Sequence, residues 1–132
     1  MNTTEIGRLG ELVAAAYLRM RGLAVLERRY RALGAEVDIV ARDRGTIVFV
    51  EVKLRGSGAK APGRASVDGR KRGRIARAAL AYLDERSRSW SRVRFDVVEI
   101  RMTARGMALT HLEDAFRPER RGGRWPSCWR RS

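Results

Sequence analysis

The sequence predicts an α/β domain with the element order α-β-β-β-α-β-β. Apolar residues recur at helical spacing over residues 4–21 and again over 67–86. Three short runs that are predicted to be strands lie between these segments, and two more follow the second. A chain of 132 residues is long enough for one domain. We therefore expect a single domain over residues 1–116 and a basic tail of arginine and tryptophan over 117–132.

The first predicted helix spans residues 4–21, and Gly22 ends it. We expect its main apolar face to pack on the core; that face comprises Leu9, Leu12, Val13, Ala16, Tyr17 and Met20. Glu11 lies nearly opposite the centre of that face, among the small or apolar residues Gly7, Ala14 and Leu18. This second stripe would let the helix approach another element closely and hold Glu11 over a site on the sheet. The alternative is a solvent-exposed glutamate.

A strand over residues 24–30 comes next, and then a predicted hairpin of strands 35–42 and 46–54. If Arg42 faces Gly45, antiparallel pairing places Asp38 opposite Phe49. The same pairing places Glu36 opposite Glu51. The side chains expected on one face are Glu36, Asp38, Glu51 and Lys53, and those expected on the other are Val37, Ile39, Val48, Val50 and Val52.

Carboxylates that converge on one point repel one another unless a cation lies between them. Oxygen ligands of this kind favour magnesium or manganese over zinc, and His111 and Cys128 are too isolated to indicate a zinc site. Lys53 is one of three lysines among 29 basic residues, and a compact ammonium can steady a water or the charge that develops on phosphorus. This chemistry is that of phosphodiester hydrolysis. The alternative is a solvent-facing hairpin in which Lys53 protects an edge strand.

The formal net charge of +14 favours an anionic partner, either nucleic acid or an anionic membrane surface. A solvated basic surface is the simpler explanation. The single cysteine fits a reducing cytoplasm, and the longest apolar run, residues 12–18, is far shorter than a membrane span. We expect a cytoplasmic protein without a membrane segment.

Residues 56–63 are rich in glycine and alanine and predict a loop beside the proposed site, either a closing loop or a plain connector. Ser66 is positioned to cap a helix over residues 67–86, whose expected core stripe is Ile75, Ala78, Ala79, Tyr82 and Leu83. The first turns of this helix carry Arg70, Lys71, Arg72 and Arg74, where the helix dipole favours anions. These side chains either contact phosphates or form a solvated face.

Strands over residues 94–100 and 107–112 complete the predicted order. Asp96 and Glu99 point to opposite faces of one strand, and we assign them structural roles. In the tail, Trp125 and Trp129 alternate with arginines and could stack on unpaired bases. Alternatively, they cover the core or a dimer partner.

Several ordered motifs carry a family resemblance that spans residues 5–113. They are residues 34–40 (GAEVDIV), 48–55 (VFVEVKLR), 67–71 with Arg74 and Ile75, and 94–98 (RFDVV). Together they resemble the YraN-like family of small bacterial proteins. That family is similar to the PD-(D/E)xK nuclease superfamily, particularly to archaeal Holliday-junction resolvases. The resemblance implies a restriction-endonuclease-like fold with a central mixed sheet flanked by helices.

The resemblance assigns catalytic roles to Glu11, Asp38, Glu51 and Lys53. It implies a metal held by Asp38, Glu51 and the main-chain carbonyl of Val52, with Glu11 acting through water. Glu36 belongs to the same pattern without an assigned role, and Ala35 replaces a frequent glycine. We expect nucleic-acid contacts from Arg55, Arg70, Lys71 and Arg74, among which Lys71 also matches a lysine common in the family.

We therefore expect a Mg²⁺- or Mn²⁺-dependent endonuclease that acts on DNA, including branched or structured DNA. A homodimer is consistent with the resemblance, because resolvase-like enzymes that cut two strands are usually dimers. Two alternatives stay open: a module of the same fold that binds nucleic acid without cutting it, and an interaction or architectural protein with a basic surface.

Overall fold

A computed structural model describes residues 3–56, 69–86, 92–118 and 129. The first helix, α1, spans Thr3–Met20 and is followed by β1 (Ala24–Ala32), β2 (Ala35–Asp43) and β3 (Thr46–Arg55). The second helix, α2, spans Gly69–Glu85 and precedes β4 (Arg92–Thr103) and β5 (Gly106–Leu112). The predicted order of elements is confirmed. Among the helices of the described residues, none is long and apolar enough to cross a membrane.

The five strands form one sheet in the order β1-β2-β3-β4-β5. Neighbouring strands are antiparallel except β3 and β4, which are parallel. A parallel pair needs a crossover connection, which here contains α2. The sheet is therefore mixed, and the crossover brings the first turn of α2 back towards the carboxyl end of β3.

Each helix covers one face of the sheet. The cluster on the α2 side includes Tyr30, Phe49 and Phe95, and it contains all five residues predicted as the core stripe of α2. The cluster on the α1 side includes Ile39, Val50 and Ile100. Alternation along the strands produces both clusters, because successive side chains point to opposite faces.

The prediction for the core face of α1 is wrong for four of its six residues, whereas Val13 and Tyr17 do pack against the cluster on the α1 side. Ala14, Ala15 and Leu18 are completely buried, whereas Leu9, Leu12 and Met20 are 44%, 48% and 87% exposed. The smaller stripe packs on the sheet because small side chains allow close approach: a Cβ on Gly10 would lie 3.8 Å from Leu54 Cδ1. The second prediction for this helix, close packing of the stripe that carries Glu11, is confirmed.

The predicted hairpin register is two residues out. Asp43 pairs with Thr46, and Ile39 pairs with Val50. Arg44 takes a left-handed backbone conformation with φ of 57°, and the two-residue turn consists of Arg44 and Gly45 rather than Asp43 and Arg44. Continued by one residue, this register places Asp38 beside Glu51 rather than Phe49. A shift of two residues preserves the alternation along β3, so Glu51 and Lys53 keep a common face. The prediction that Glu36 shares this face is wrong, because Glu36 lies with Glu11 of α1, whereas Glu51 contacts Lys71 of α2.

One member of the predicted apolar face lies on the other side of the sheet. Val37 packs in the α2-side cluster, whereas Ile39 packs in the α1-side cluster. Residues two apart in a regular strand share a face, so the alternation of β2 breaks at Asp38. This irregularity occurs where β2 ends its pairing with β3.

Trp129 is 5% exposed and belongs to the α2-side cluster. Its ring lies 5.5 Å from that of Phe95, and Arg117 donates a hydrogen bond to its carbonyl oxygen. Of the roles predicted for this residue, covering the core is therefore confirmed, and the buried ring is not exposed for stacking on bases or for covering a dimer partner. The chain returns to the core at Trp129, beyond the predicted domain boundary at residue 116.

Candidate functional site

The candidate site lies where β2 and β3 separate. Their ladder ends at the pair Ile39 and Val50. Beyond this pair, the Val52 N–H donates a hydrogen bond of 2.8 Å to Asp38 Oδ2. The carboxylate of Asp38 thus takes the place of the backbone carbonyl that β2 would supply if the pairing continued. The N–H and C=O of one strand residue point to the same edge. The carbonyl of Val52 therefore also points towards the opening that contains Asp38.

Glu11 reaches this opening from α1, because the small-residue face of the helix packs against the sheet. One carboxylate oxygen from each of Glu11, Glu36 and Asp38 lies within 4.8 Å of the other two. Glu36 and Asp38 come from the first half of β2, before its pairing with β3 begins. Two of the four predicted catalytic residues thus converge with Glu36, to which the resemblance gave no role.

Two arginines of β1 accompany these acids, and sequence reasoning missed both. Arg29 Nε lies 3.1 Å from Glu11 Oε2, and Arg31 Nη2 lies 3.5 Å from Glu36 Oε2. The sequence signal was the alternation of Arg29 and Arg31 within a strand. It becomes interpretable once β1 is paired with β2, which places Arg31 opposite Glu36.

Glu51 lies on β3 and is 6% exposed. It accepts a short hydrogen bond from the Lys71 ammonium of α2, and Lys53 Nζ lies 3.5 Å from the same oxygen. Lys71, expected to contact phosphates from the helix surface, thus reaches into the candidate site. The structure therefore brings together all four predicted catalytic residues and adds a second lysine.

The two lysines respond differently to this environment. Burial, followed by the adjacent Lys71, lowers the pKa of Lys53 despite the attraction of Glu51. Burial also opposes the charge of Lys71, but its hydrogen bond to Glu51 outweighs that effect and raises the pKa of Lys71. Lys53 is therefore the ammonium that gives up its proton more readily than a free lysine.

Asp38 is the acid most affected by its surroundings. Burial, followed by the nearby carboxylate of Glu51, raises the pKa of Asp38 to about 8 despite the hydrogen bond from Val52. Burial likewise raises the pKa of Glu11, against the influence of Arg29. Within the part of the chain that the structure describes, no lysine or arginine forms an ion pair with Asp38. The centre of the acidic group thus lacks a direct cationic partner.

The remaining predicted nucleic-acid contacts lie on or beside this site. Arg70 and Arg74 are exposed on the first turns of α2. Arg55 Nε lies 2.8 Å from Glu99 Oε1, and Glu99 is 1% exposed. Glu99 also pairs with Lys53 in the register of β3 and β4. Glu99 therefore holds Arg55 beside the site from within the core.

Asp96 belongs to a separate network, as its predicted structural role implies. It accepts hydrogen bonds from Arg94 Nε at 2.8 Å and from the Asp114 N–H at 2.9 Å. His111 Nε2 lies 2.8 Å from the second oxygen of Asp96. Burial opposes the charge of Asp96, but these hydrogen bonds outweigh it and lower the pKa of Asp96. This network ties β4 to β5 and the segment that follows.

Four further predictions lie outside the described residues. They concern the loop between residues 56 and 63 beyond its first residue, the cap at Ser66, and the roles of Cys128 and Trp125.

Comparison with known proteins identifies relatives along most of the chain. The model of the uncharacterised protein family UPF0102 matches residues 10–100. A UPF0102 protein of Geobacter metallireducens is 39% identical over 116 residues, covering 88% of this chain and 95% of its own. Another, of Geotalea uraniireducens, is 43% identical over 112 residues, covering 84% and 88%. A third, of Rhodococcus opacus, is 43% identical over 114 residues, covering 84% and 95%.

The matched region begins within α1 and ends within β4, so it includes Glu11, Asp38, Glu51 and both lysines of the site. On the strength of this match and of relatives that align over most of their own length, the chain belongs to the UPF0102 family.

Proposed function

We propose that this protein is a Mg²⁺- or Mn²⁺-dependent endonuclease that hydrolyses phosphodiester bonds in DNA. In this proposal it is a YraN-like member of the PD-(D/E)xK superfamily with a restriction-endonuclease-like fold. One observation carries the proposal. Four carboxylates and two lysines meet where β2 and β3 separate, and the central acid, Asp38, has no ion pair with a lysine or arginine among the described residues.

The donors suit a hard divalent cation. Oxygens that share one octahedral magnesium ion lie about 3 to 4 Å apart, and those of Glu11, Glu36 and Asp38 are within 4.8 Å of one another. Small movements of these side chains would close the set around an ion. Asp38 also lies beside Glu51 and the edge to which the Val52 carbonyl points. Asp38 is thus common to two ligand sets, one with Glu11 and Glu36 and one with Glu51 and Val52.

Each side chain of the site has a role in this proposal. A bound Mg²⁺ or Mn²⁺ supplies charge neutralisation at the scissile phosphate and lowers the pKa of a coordinated water. Lys53 stabilises the charge that develops on phosphorus or positions the attacking water. Lys71 holds Glu51 in place. Burial, followed by the contact with Lys71, keeps the pKa of Lys53 below the ordinary lysine value.

The charge of the chain supports a nucleic-acid substrate. The net charge is +14, although the site itself concentrates carboxylates. Arg70 and Arg74 lie exposed on the helix that also contributes Lys71 to the site. A backbone bound along these arginines would pass the acids of β2 and β3. The resemblance to Holliday-junction resolvases supports branched or structured DNA as the preferred substrate.

A second candidate is a module of the same fold that binds nucleic acid without cutting it. The pairing of Glu51 with Lys71 and Lys53 favours this candidate, because two ammoniums neutralise the acid without a metal. Phosphate contacts weaken with salt in both candidates, but only the endonuclease requires a divalent cation for turnover.

The test incubates the purified protein with branched, single-stranded and duplex DNA in Mg²⁺, Mn²⁺ or EDTA. We expect cleavage in Mg²⁺ or Mn²⁺, none in EDTA, and none by Asp38→Ala or Lys53→Ala. Asp84→Ala, at an exposed position on α2, is the matched control. Binding without cleavage would support the second candidate, whereas cleavage in EDTA or full activity of the Asp38 variant would refute the mechanism.

The two ligand sets can be separated with the same protein. Mn²⁺ binding measured by electron paramagnetic resonance should fall in Asp38→Asn under either arrangement. If Mn²⁺ binding also falls in Glu51→Gln but not in Glu36→Gln, the ligand set is the one with the Val52 carbonyl. If it also falls in Glu36→Gln but not in Glu51→Gln, the ligand set is the one with Glu11. Mn²⁺ binding that survives Asp38→Asn would show that the metal lies elsewhere.

A further inference from the structure

An apolar stripe on α1 faces away from the sheet. Ile6, Leu9, Leu12 and Met20 are 39%, 44%, 48% and 87% exposed. The opposite side of the same helix carries the fully buried Ala14 and Leu18. Leu9, Leu12 and Met20 belong to the apolar face that the sequence predicted for the core, so the helix is apolar on two sides.

The spacing of the stripe is that of a coiled-coil seam. Ile6, Leu9, Val13, Ala16 and Met20 are separated by steps of 3, 4, 3 and 4 residues. Val13, at the middle of this series, is only partly exposed because it also packs against the α1-side cluster. These are the a and d positions of successive heptads, the pattern by which one helix packs against another along its length. Leu12 flanks the seam at a g position, and so do Glu5 and Arg19. The face has the pattern of a helix that packs against a second helix.

The flanking positions are complementary to themselves when two copies of the helix run antiparallel. In that arrangement each g position faces a g position of the other helix. Leu12 then meets Leu12 of the second copy, while Glu5 meets Arg19 at both ends. Glu5 lies in the first turn and Arg19 in the last, and both side chains are exposed. An interface that repeats under a two-fold rotation is the property expected of an isologous dimer.

We propose that the exposed face of α1 binds the same face of a second copy of this chain, as an antiparallel helix pair with its two-fold axis at Leu12. The charge pattern favours a second copy as the partner. In the antiparallel pair, Glu5 of each helix lies opposite Arg19 of the other, so both ends carry opposite charges. Glu11 points to the opposite side of α1, so each copy keeps its candidate site uncovered. The inference does not depend on the proposed nuclease activity.

The expected dimer is weak. Two heptads of helix bury less surface than the roughly 1,200 to 2,000 Å² of a typical stable interface, and a net charge of +14 on each copy opposes association. We therefore expect dissociation in the micromolar range. Sedimentation equilibrium over about 1 to 300 µM protein covers this range.

The apolar part of the seam is tested with Leu12→Glu, which places two carboxylates across the axis. We expect this variant to sediment as a monomer throughout the series. Met107→Glu is the matched control, because Met107 is 52% exposed and lies on β5 rather than on α1. Circular dichroism should show that both variants keep the parent fold. A parent chain that is monomeric at the highest concentration, or a Leu12→Glu variant that dimerises like the parent, would overturn the proposal.

The antiparallel direction is tested with Glu5→Arg and Arg19→Glu. Each variant alone sets like charges against each other at both ends, so its dimer should dissociate roughly tenfold more readily than the parent dimer at low salt. An equimolar mixture of the two restores opposite charges at both ends and should recover parent affinity. Effects of these charges within a single helix are not rescued by mixing. Failure of the mixture to recover would overturn the antiparallel pairing.

Discussion

The Val52 N–H donates a hydrogen bond of 2.8 Å to Asp38 Oδ2 at the point where β2 and β3 stop pairing. This contact holds a buried carboxylate beside Glu51 in the opening between the strands. The hydrogen bond stabilises the charged form of Asp38, but burial and Glu51 outweigh it and raise the pKa to about 8. The metal-free protein therefore carries a destabilising acid at the centre of its candidate site.

Replacing Asp38 by asparagine should stabilise the metal-free protein at alkaline pH and strongly reduce its proposed activity. A raised folded-state pKa means that the folded protein holds this proton more tightly than the unfolded chain. The stability that this group contributes is fully present below pH 3.8, the pKa of an ordinary aspartate, and is lost as the pH rises through about 8. We expect the melting temperature of the parent in EDTA to fall across this window, and that of Asp38→Asn to fall less.

Added Mg²⁺ or Mn²⁺ should raise the melting temperature of the parent at about pH 8, since a ligand that binds the folded state stabilises it. The Asp38→Asn variant should show no such rise and should cleave DNA roughly 10² to 10³ times more slowly. Thermal melts in EDTA and in metal check both statements, with Asp84→Asn as control. Equal pH dependence in parent and variant would contradict the assigned pKa of Asp38.

Removing Lys71 should shift the pH dependence of cleavage. After burial, the neighbouring Lys71 is the next cause of the lowered pKa of Lys53. In Lys71→Met the pKa of Lys53 should therefore rise, moving the alkaline limb of kcat/KM to higher pH. The control is Arg77→Met, at an exposed position on the same helix. An unmoved limb would show that Lys53 is not the group whose deprotonation ends activity.

The exposed arginines of α2 should contribute to DNA affinity through phosphate contacts. For Arg70→Ala with Arg74→Ala, we expect the slope of log Kobs against log salt concentration to decrease in magnitude by about 1.8, because each phosphate contact contributes about 0.9. Fluorescence anisotropy in EDTA measures binding without cleavage. Arg44→Ala with Arg105→Ala, in two turns of the chain, should leave the slope unchanged. Equal effects of the two pairs would indicate nonspecific attraction to the whole chain.

Asp96 should stabilise the fold at neutral pH but not in strong acid. The pKa of Asp96 is lower in the folded protein than the 3.8 of the unfolded chain. Its contribution to the free energy of unfolding is therefore present above pH 3.8 and is lost as the pH falls through the folded-state pKa. Asp96→Asn should cost about 3 kcal/mol at pH 7, because it leaves Arg94 without its buried partner. Urea titrations should show this difference narrowing below about pH 4. A difference that persists in acid would indicate a packing effect instead.

Trp129 should contribute to stability although it lies near the end of the chain. Its side chain packs on Phe95 in the core, and removing a buried aromatic side chain costs about 3 kcal/mol or more. We expect Trp129→Ala to lower the free energy of unfolding by that amount and Trp129→Phe to lower it less. Met107→Ala, at an exposed position, is the control. Unfolding energies equal to the parent would place Trp129 outside the core.

Local patterns were sufficient for the order of elements and for the core stripe of α2. In α2 the apolar positions coincide with the face that packs on Phe49 and Tyr30. In α1 the same reasoning selected the wrong face, because periodicity favours the larger apolar side chains. Close packing on a sheet instead favours small ones such as Gly10 and Ala14.

The sequence by itself determined which residue types were available to the site: acids at Glu11, Asp38 and Glu51, and a lysine at position 53 beside Glu51. Only the tertiary structure decided how they meet. The crossover between parallel strands carries Lys71 to Glu51 across 20 residues of chain, and β1 supplies Arg29 to Glu11. Contacts between residues so distant in the chain depend on strand register, helix orientation and burial, which no local spacing specifies.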